Sequence, residues 1–241
     1  MPDNFSHVFS SILSGLQATV WAAVGGIALT IVLAFVAGLG LLARSRIVRG
    51  IARVYVEVFR GTSEMVQLFW LFFVLPALVG FKLVPLFAGI LVLGLNHGAY
   101  GAEIVRGAVR SVPKAQHEGA LALNFTPAQR MFRVLLPQAV VEMIPPFNNL
   151  FIQLLKSTAL LSFITAGEIT QQGELLRPVY GSDIAWIYGT ELVFYLLLAV
   201  LITLVMRWLE RITAARLGRT PPKRKRLYSG GKAPESAGVS V

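Results

Sequence analysis

The 241-residue chain contains no cysteine, which excludes disulfide bonds and thiolate metal sites. Charge is also scarce, since only 14% of the residues are charged while 55% are hydrophobic. From Val8 to Ala43 there is no charged side chain at all. A water-soluble domain of this length could not bury so much apolar surface. The composition therefore indicates a membrane protein.

Motifs of a catalytic subunit are also missing. The sequence has no G-x-x-x-x-G-K-[ST] phosphate loop, so it predicts no nucleotide site of its own. Its three histidines, His7, His97 and His117, are scattered without the spacing of metal ligands. No arrangement of a nucleophile, a base and an oxyanion site can be assembled. We therefore expect no catalytic residue, no metal and no cofactor in this chain, and no enzymatic activity.

Long apolar segments dominate what remains. Crossing the hydrocarbon layer of a membrane takes about 20 apolar residues per helix, and five segments qualify. Residues 1 to 43 include neither Lys nor Arg, so no basic region precedes the first segment as a cleavable signal peptide requires. We expect that segment to be retained. The predicted spans are residues 16–43, 63–81, 83–105, 143–167 and 184–206.

The basic residues predict the orientation of these spans. Of the 22 Lys and Arg residues, 19 follow the first, third or fifth span. By the positive-inside rule the N-terminus is then outside and the C-terminus is cytoplasmic. Residues 220–241 are rich in Pro, Gly, Ser and Lys without an apolar pattern, which predicts a disordered tail attracted to anionic lipid headgroups. The charge lies at membrane edges, which argues against nucleic-acid binding. The chain thus divides into a membrane domain, residues 1–219, and a basic tail.

Residues 111–138 form a polar island between apolar segments. Pro113 suits a first helical turn, and Ala115, Gly119 and Ala122 place small residues on one helix face. Asn124 can adopt the left-handed conformation that ends a helix. A second helix then begins at 126, because Thr126, Pro127 and Gln129 form a capping box. The pattern predicts two short helices that meet at a corner on the membrane face, although an ordinary connecting loop is the alternative.

The island resembles the docking loop of permease subunits of ABC importers. Glu118-Gly119-Ala120, followed by Asn124 and by Val134-x-Leu136-Pro137, is similar to the E-A-A-x3-G-x9-I-x-L-P pattern of that loop. Gly119 and Asn124 replace its usual Ala and Gly but keep small or helix-ending character. The resemblance implies that a cytoplasmic ATPase binds here. The implied coupling residues are Glu118, Gly119, Ala120, Ala122, Leu123, Asn124, Leu136 and Pro137.

Further segments resemble the polar amino acid permeases within that superfamily. Phe59-Arg60-Gly61-Thr62, the segment from Ala99 to Gly107, and Lys156-Ser157-Thr158 all resemble motifs of that family. The resemblance implies an all-α integral membrane bundle of five transmembrane helices with a cytoplasmic coupling-helix hairpin. It also implies a second permease, an extracytoplasmic solute-binding protein, and two ATPase subunits that bind ATP and Mg²⁺.

The expected function is then ATP-driven import of a polar amino acid or related zwitterion across a bacterial inner membrane. Three alternatives stay open. One is a secondary transporter powered by an ion gradient, although no inverted repeat is evident. Another is an ABC permease for a compatible solute or an amino acid derivative. The last is a receptor or scaffold subunit that transports nothing.

Polar residues inside the apolar spans are the candidates for a solute path, because polar groups in a membrane usually face a bundle interior or water. Their amide, cationic and aromatic groups could hold a zwitterion, but hydrogen bonding between helices is the alternative role. Pro145-Pro146 should kink or break the fourth span. The candidates on the second, third and fourth spans are Gln67, Trp70, Asn96, Tyr100, Asn149, Gln153 and Lys156.

Charged residues near the inner membrane edge form a separate group. Glu103 can pair with Arg60, Arg106 or Lys156. Such pairs would hold the bundle together or form a cytoplasmic gate.

Overall fold

The computed structural model describes residues 2–80 and 82–216, except for the side chains of residues 2–5, 182 and 216. The predicted basic tail, residues 220–241, lies outside this range. The described residues form helices and connecting turns without strands, which confirms the all-α prediction. Ten α-helices follow one another along the described chain: α1 Pro2–Leu41, α2 Arg46–Gly61, α3 Glu64–Phe69, α4 Leu75–Val79, α5 Pro85–Ser111, α6 Lys114–Ala122, α7 Pro127–Gln129, α8 Leu136–Ser157, α9 Ile169–Leu176 and α10 Ile184–Arg216.

Two π-helical segments join pairs of these helices. Trp70–Val74 links α3 to α4, and Arg130–Leu135 links α7 to α8. Each segment is followed by a leucine and then by Pro76 or Pro137. A proline ring clashes with the carbonyl four residues earlier in a regular α-helix. A wider π turn lies directly before each proline. In it, the N–H of the leucine bonds to a carbonyl five residues back instead of four.

Two described helices are long and apolar enough to cross a membrane, Ser6–Leu41 and Ile184–Ala215. Up to four crossings result if two bent pairs count as single spans: Arg46–Gly61 with Glu64–Val79, bent by 104°, and Pro127–Ile164 with Ile169–Leu176, bent by 49°. The predicted number of five spans is therefore not confirmed. The helix missing from the count is α5, whose 27 residues would span about 40 Å. The buried residues of α5 include polar residues and glycines, among them Asn96, His97 and Gly98.

Several helices extend beyond the predicted spans. The first helix begins at residue 2, well before residue 16, because the polar residues near its start do not interrupt helical hydrogen bonding. The third continues to Ser111 and the fifth to Arg216. Residues 46–61, which the sequence reading left as a basic connection, form α2. Of the predicted kink or break at Pro145-Pro146, the break is wrong, since α8 runs through both prolines; the kink stays a prediction. Each proline lacks a backbone N–H, so only two helical hydrogen bonds are lost there. The hydrogen bonds of the adjoining turns keep the helix continuous.

The bundle is built around α5, which packs mainly against α1 and also contacts α2 and α8. Small residues permit the close approach of α1 and α5. A Cβ at Gly38 would lie 2.8 Å from the backbone oxygen of Ala102, and one at Gly101 would lie 2.6 Å from the Cβ of Ala34. These contacts leave no room for a side chain. The buried core continues along α8 through Phe147, Leu150, Phe151 and Leu154.

Candidate functional site: docking helix, polar stripe and ion-pair cluster

The coupling segment folds as its local sequence predicts. Helix α6 ends at Ala122, and Asn124 takes the left-handed conformation with φ of 54°. The N–H of Phe125 then bonds to the carbonyl of Ala120 at 3.0 Å. Thr126 and Gln129 complete the predicted capping box, in which each side chain accepts a hydrogen bond from the other residue's N–H. The corner between the two helices is thus held by bonds that span only a few residues.

The outer face of α6 is open. Glu118, Gly119 and the predicted small-residue positions Ala115 and Ala122 are exposed, whereas Ala120 is buried. A Cβ at Gly119 would meet nothing within 4 Å. Leu123, next to the helix end, is 70% exposed. The other two coupling candidates, Leu136 and Pro137, begin α8 instead of lying on this face.

Helix α8 presents a polar stripe to the outside of the bundle. Asn149, Gln153 and Lys156 are all exposed, at i, i+4 and i+7 on one face. Within residues 2–80 and 82–216 they have no hydrogen-bond or ion-pair partner. The opposite face of the same helix is buried in the core through Leu150 and Leu154. The three side chains of this polar stripe therefore do not hydrogen-bond one helix to another within the described part of the chain.

Helix α10 shows the contrasting surface. Its exposed residues are apolar, including Leu196, Leu197, Val200, Leu201 and Leu204. Only 11% of its most apolar stretch is buried. Such a face suits contact with lipid tails, whereas exposed amides and an ammonium group in lipid would be costly. The two helices thus face different surroundings.

Gln67 and Asn96, two of the predicted path residues, are tied to the backbone of α2. The Nδ2 of Asn96 donates to the carbonyl of Phe59 at 2.9 Å and to Gln67 Oε1 at 3.2 Å. The Nε2 of Gln67 donates to the same carbonyl at 2.9 Å and to Thr62 Oγ1 at 2.7 Å. Because these amide donors are used inside the chain, the geometry favours a packing role for both side chains. Trp70, next to them, is exposed and lines a largely apolar cavity of about 400 Å³.

The predicted ion-pair residues come together at the end of α5 nearest to α6. Glu103 accepts a hydrogen bond from Arg106 Nε at 2.6 Å, and its carboxylate lies 3.8 Å from Arg60 NH1. The guanidinium of Arg60 also lies over the ring of Tyr100, 5.0 Å from its centre, which is a cation–π distance. Lys156 is absent from this cluster, because it lies at the far end of α8. Tyr100 therefore belongs to the ion-pair cluster, not to the stripe on α8.

A partly buried polar contact between three helices was not predicted from the sequence. Glu64, at the start of α3, accepts a hydrogen bond from Ser157 at 2.9 Å and lies 3.4 Å from His97 Nδ1. The residues lie on α3, α8 and α5, so their encounter depends on tertiary packing. The only sequence signal was an acidic residue at the edge of an apolar segment. His97 is a helix-contact residue, as a histidine in mid-span usually is.

A second polar cluster lies at the opposite end of the bundle. Glu168 is fully buried and caps α9 by accepting the N–H groups of Thr170 and Gln171 at 2.9 and 2.7 Å. Tyr195 of α10 donates to the same carboxylate at 3.0 Å. The cap thereby fixes α9 to α10. No group of three or more His, Asp or Glu residues in the described chain is arranged to hold a metal ion.

An all-helical bundle with membrane-spanning helices and one exposed short helix, α6, between longer ones is the class of structure that these observations define. Residues 26–219 match the family described as "Binding-protein-dependent transport system inner membrane component". The chain belongs to this family.

Its relatives are named as amino-acid transport proteins. The chain is 46% identical over 184 residues to the probable amino-acid ABC transporter permease protein y4tF of Sinorhizobium fredii, covering 74% of this chain and 77% of the relative. It is 35% identical over 202 residues to the glutamine transport system permease protein GlnP of Escherichia coli, covering 83% and 91%. With the L-cystine transport system permease protein TcyB of Bacillus subtilis, identity is 34% over 210 residues, covering 87% and 89%.

Solved structures agree with the fold. A crystal structure of an amino acid ABC transporter with histidines superposes with a TM-score of 0.71 at 26% identity, covering 86% of this chain and 95% of the other. A chain of the inward-facing MetNI methionine ABC transporter superposes with a TM-score of 0.72 at 22% identity, covering 84% and 96%. The second likeness concerns the fold alone.

Proposed function

We propose that this chain is the permease subunit of an ATP-driven importer for a polar amino acid or a related zwitterion in a bacterial inner membrane. A separate subunit hydrolyses ATP. The observation that carries the proposal is the exposed face of α6, where Gly119 and two alanines leave a surface that another protein can approach closely. The names of the relatives support the class of solute.

The proposed assembly contains two copies of the ATPase, a second permease and an extracytoplasmic solute-binding protein. ATP and Mg²⁺ belong to the ATPase subunits. In this arrangement α5 also crosses the membrane, which brings the number of crossings to five. The N-terminus is outside, and α6 lies in the cytoplasm with the ATPase. Closure of the two ATPases draws the docking helices together, and the permeases then open outward to receive the solute.

The stripe on α8 is the proposed solute path. Its polar residues would be poorly placed against lipid, so a second permease or a water-filled route between the two subunits covers them. Asn149 and Gln153 supply amide donors and acceptors, and Lys156 supplies a cation for a carboxylate. Gln67 and Asn96 are left out of the path because their amides are used inside the chain.

Reconstitution tests the energy source. Uptake into proteoliposomes should require ATP, the ATPase subunit and the binding protein, and it should ignore ion gradients. Uptake driven by an ion gradient without ATP would instead identify a secondary transporter. Solute binding and ATPase docking without any uptake would leave a receptor or scaffold.

A pair of matched variants tests the path. Gln153→Leu removes an exposed amide with little change in volume, which should weaken the apparent affinity by about 5- to 150-fold, or roughly 1 to 3 kcal/mol. Gln17→Leu makes the same change at an exposed position on α1 and should leave uptake unchanged. Equal behaviour of the two variants across a series of amino acids would remove the stripe from the solute path.

A further inference from the structure

Five arginines surround a cavity of about 270 Å³ at the end of the bundle nearest to α6. The cavity lies between the C-terminal end of α1 and the facing sides of α2 and α5. Two glutamates, Glu57 and Glu103, share its lining, which leaves three positive charges in excess. The arginines are Arg49, Arg53, Arg60, Arg106 and Arg110.

The glutamates are already paired, and two arginines are not. Glu103 pairs with Arg106 and Arg60, and Glu57 lies 3.9 Å from Arg53. Arg49 donates only to the backbone oxygen of Ala43, at 3.3 Å. Arg110 has no acidic partner in the described part of the chain. The guanidinium groups of Arg49 and Arg110 are therefore available to an anion.

Helix α2, which supplies three of the arginines, has the character of a helix that lies on a membrane surface. Ile47, Ile51, Val54 and Val58 form an exposed apolar stripe, with exposed fractions from 74% to 52%. Arginines flank this stripe, a pattern typical of helices in the lipid interface. The chain turns by 104° between α2 and the apolar segment 64–79. If that segment crosses the membrane, α2 lies nearly parallel to the membrane surface.

We propose that the cavity binds the phosphate of an anionic membrane phospholipid, whose acyl chains lie beside the apolar stripe of α2. The fork of an arginine side chain matches phosphate oxygens well, and basic pockets between helices at the cytoplasmic face suit such headgroups. The assignment to the cytoplasmic leaflet rests on the proposed function, which places α6 in the cytoplasm. The phosphate site itself depends only on the charges and the cavity.

Native mass spectrometry of the full chain, extracted from membranes of phosphatidylcholine and phosphatidylglycerol, tests the site directly. Wild type should retain phosphatidylglycerol. The double variant Arg49→Gln/Arg110→Gln should retain it roughly 30-fold less well, or about 2 kcal/mol for two arginines. Arg207→Gln/Arg211→Gln removes the same charge from exposed positions near the end of α10 and should bind like wild type. The proposal would be overturned if both double variants lost phosphatidylglycerol equally, or if neither lost it.

A conservative double variant serves as the control for misfolding. Arg49→Lys/Arg110→Lys keeps the charge and should restore most of the retained lipid, with a normal elution volume in size-exclusion chromatography. Arg60, Glu103 and Arg106 stay untouched, so the ion-pair cluster is intact in every variant. Failure of the lysine variant to bind better than the glutamine variant, with both folded, would argue against a phosphate held by charge.

Nanodiscs separate a lipid phosphate from a free one. Thermal stability should rise when phosphatidylglycerol is added to phosphatidylcholine nanodiscs, and inorganic phosphate in pure phosphatidylcholine should not replace it. Stabilisation by inorganic phosphate alone would assign the cavity to a soluble anion and overturn the lipid proposal. If ATP-driven uptake were absent in every lipid, the proposed function would fail while the lipid-retention result still stood.

Discussion

Replacement of Gly119 by tryptophan separates the proposed docking role of α6 from its role in folding. Gly119 is exposed, and a side chain added there points into open space. Tryptophan also has a better helix propensity than glycine, by up to about 0.5 kcal/mol. The change should therefore leave insertion and the thermal unfolding midpoint of the isolated chain nearly unaltered.

Binding of the ATPase to α6, in contrast, should be strongly weakened by Gly119→Trp. A tryptophan side chain brings 150 to 250 Å² of surface, roughly, onto a face made of Ala115, Gly119 and Ala122. A partner fitted to that face can no longer approach, so Gly119→Trp should co-purify with little ATPase and should not transport. Glu118→Gln keeps the shape but removes a charge, and loss of one charge-assisted hydrogen bond would weaken docking by about 1.5 to 3 kcal/mol.

The assay is the ratio of ATPase to permease after affinity purification, measured together with uptake in proteoliposomes. Gly189→Trp is the matched control, because Gly189 is also exposed with open space around its Cβ but lies near the start of α10, at the opposite end of the bundle. It should keep a normal ratio. Normal stoichiometry and uptake in Gly119→Trp would refute the docking assignment.

Three further predictions concern topology and packing. In this cysteine-free chain, Ala115→Cys should be hidden from an impermeant thiol reagent in intact cells and Gly181→Cys should react; the reverse pattern would invert the orientation. Gln67→Leu should lower the unfolding midpoint, since it removes the hydrogen bonds that Gln67 makes with Phe59, Thr62 and Asn96, each worth about 0.5 to 1.5 kcal/mol; an unchanged midpoint would contradict the packing role. Gly15→Ala should destabilise the bundle by about 1 to 3 kcal/mol, because its Cβ would lie 2.7 Å from the backbone carbon of Glu168. Gly50→Ala, with nothing within 4 Å, should be neutral or stabilising in the same melting assay.

Features held by local hydrogen bonds were predictable from the sequence. The end of α6 at Asn124 and the capping box of Thr126 and Gln129 involve bonds between residues no more than five positions apart, so their residue types nearly decide their conformation. Apolar segments long enough to cross a membrane were likewise visible, and each contains a helix. Their ends were less predictable, because a helix continues into polar sequence whenever its backbone bonds can be satisfied.

Features that depend on distant contacts were not predictable in the same way. The amides of Gln67 and Asn96 looked like solute ligands, but both bind the carbonyl of Phe59, which is 37 residues from Asn96. Helix α2 was missed because its arginines were read as a connecting segment, although its apolar residues recur at helical spacing. For the two amides the missing information was the position of another helix, whereas for α2 the helical spacing was present in the sequence.

The π-helical segment Arg130–Leu135 has a consequence for changes in chain length. A π turn holds about one residue more than an α turn, and one residue corresponds to a rotation of about 100° around a helix axis. Deleting one residue from this segment can therefore convert it to a regular turn and keep Gln153 on its present side of the bundle, at the cost of a contact between Pro137 and the carbonyl four residues earlier. The same deletion two turns later, in α8 itself, would rotate every following side chain by that angle. The junction between the hairpin of α6 and α7 and the polar stripe is thus a place where the chain can absorb a single-residue change in length.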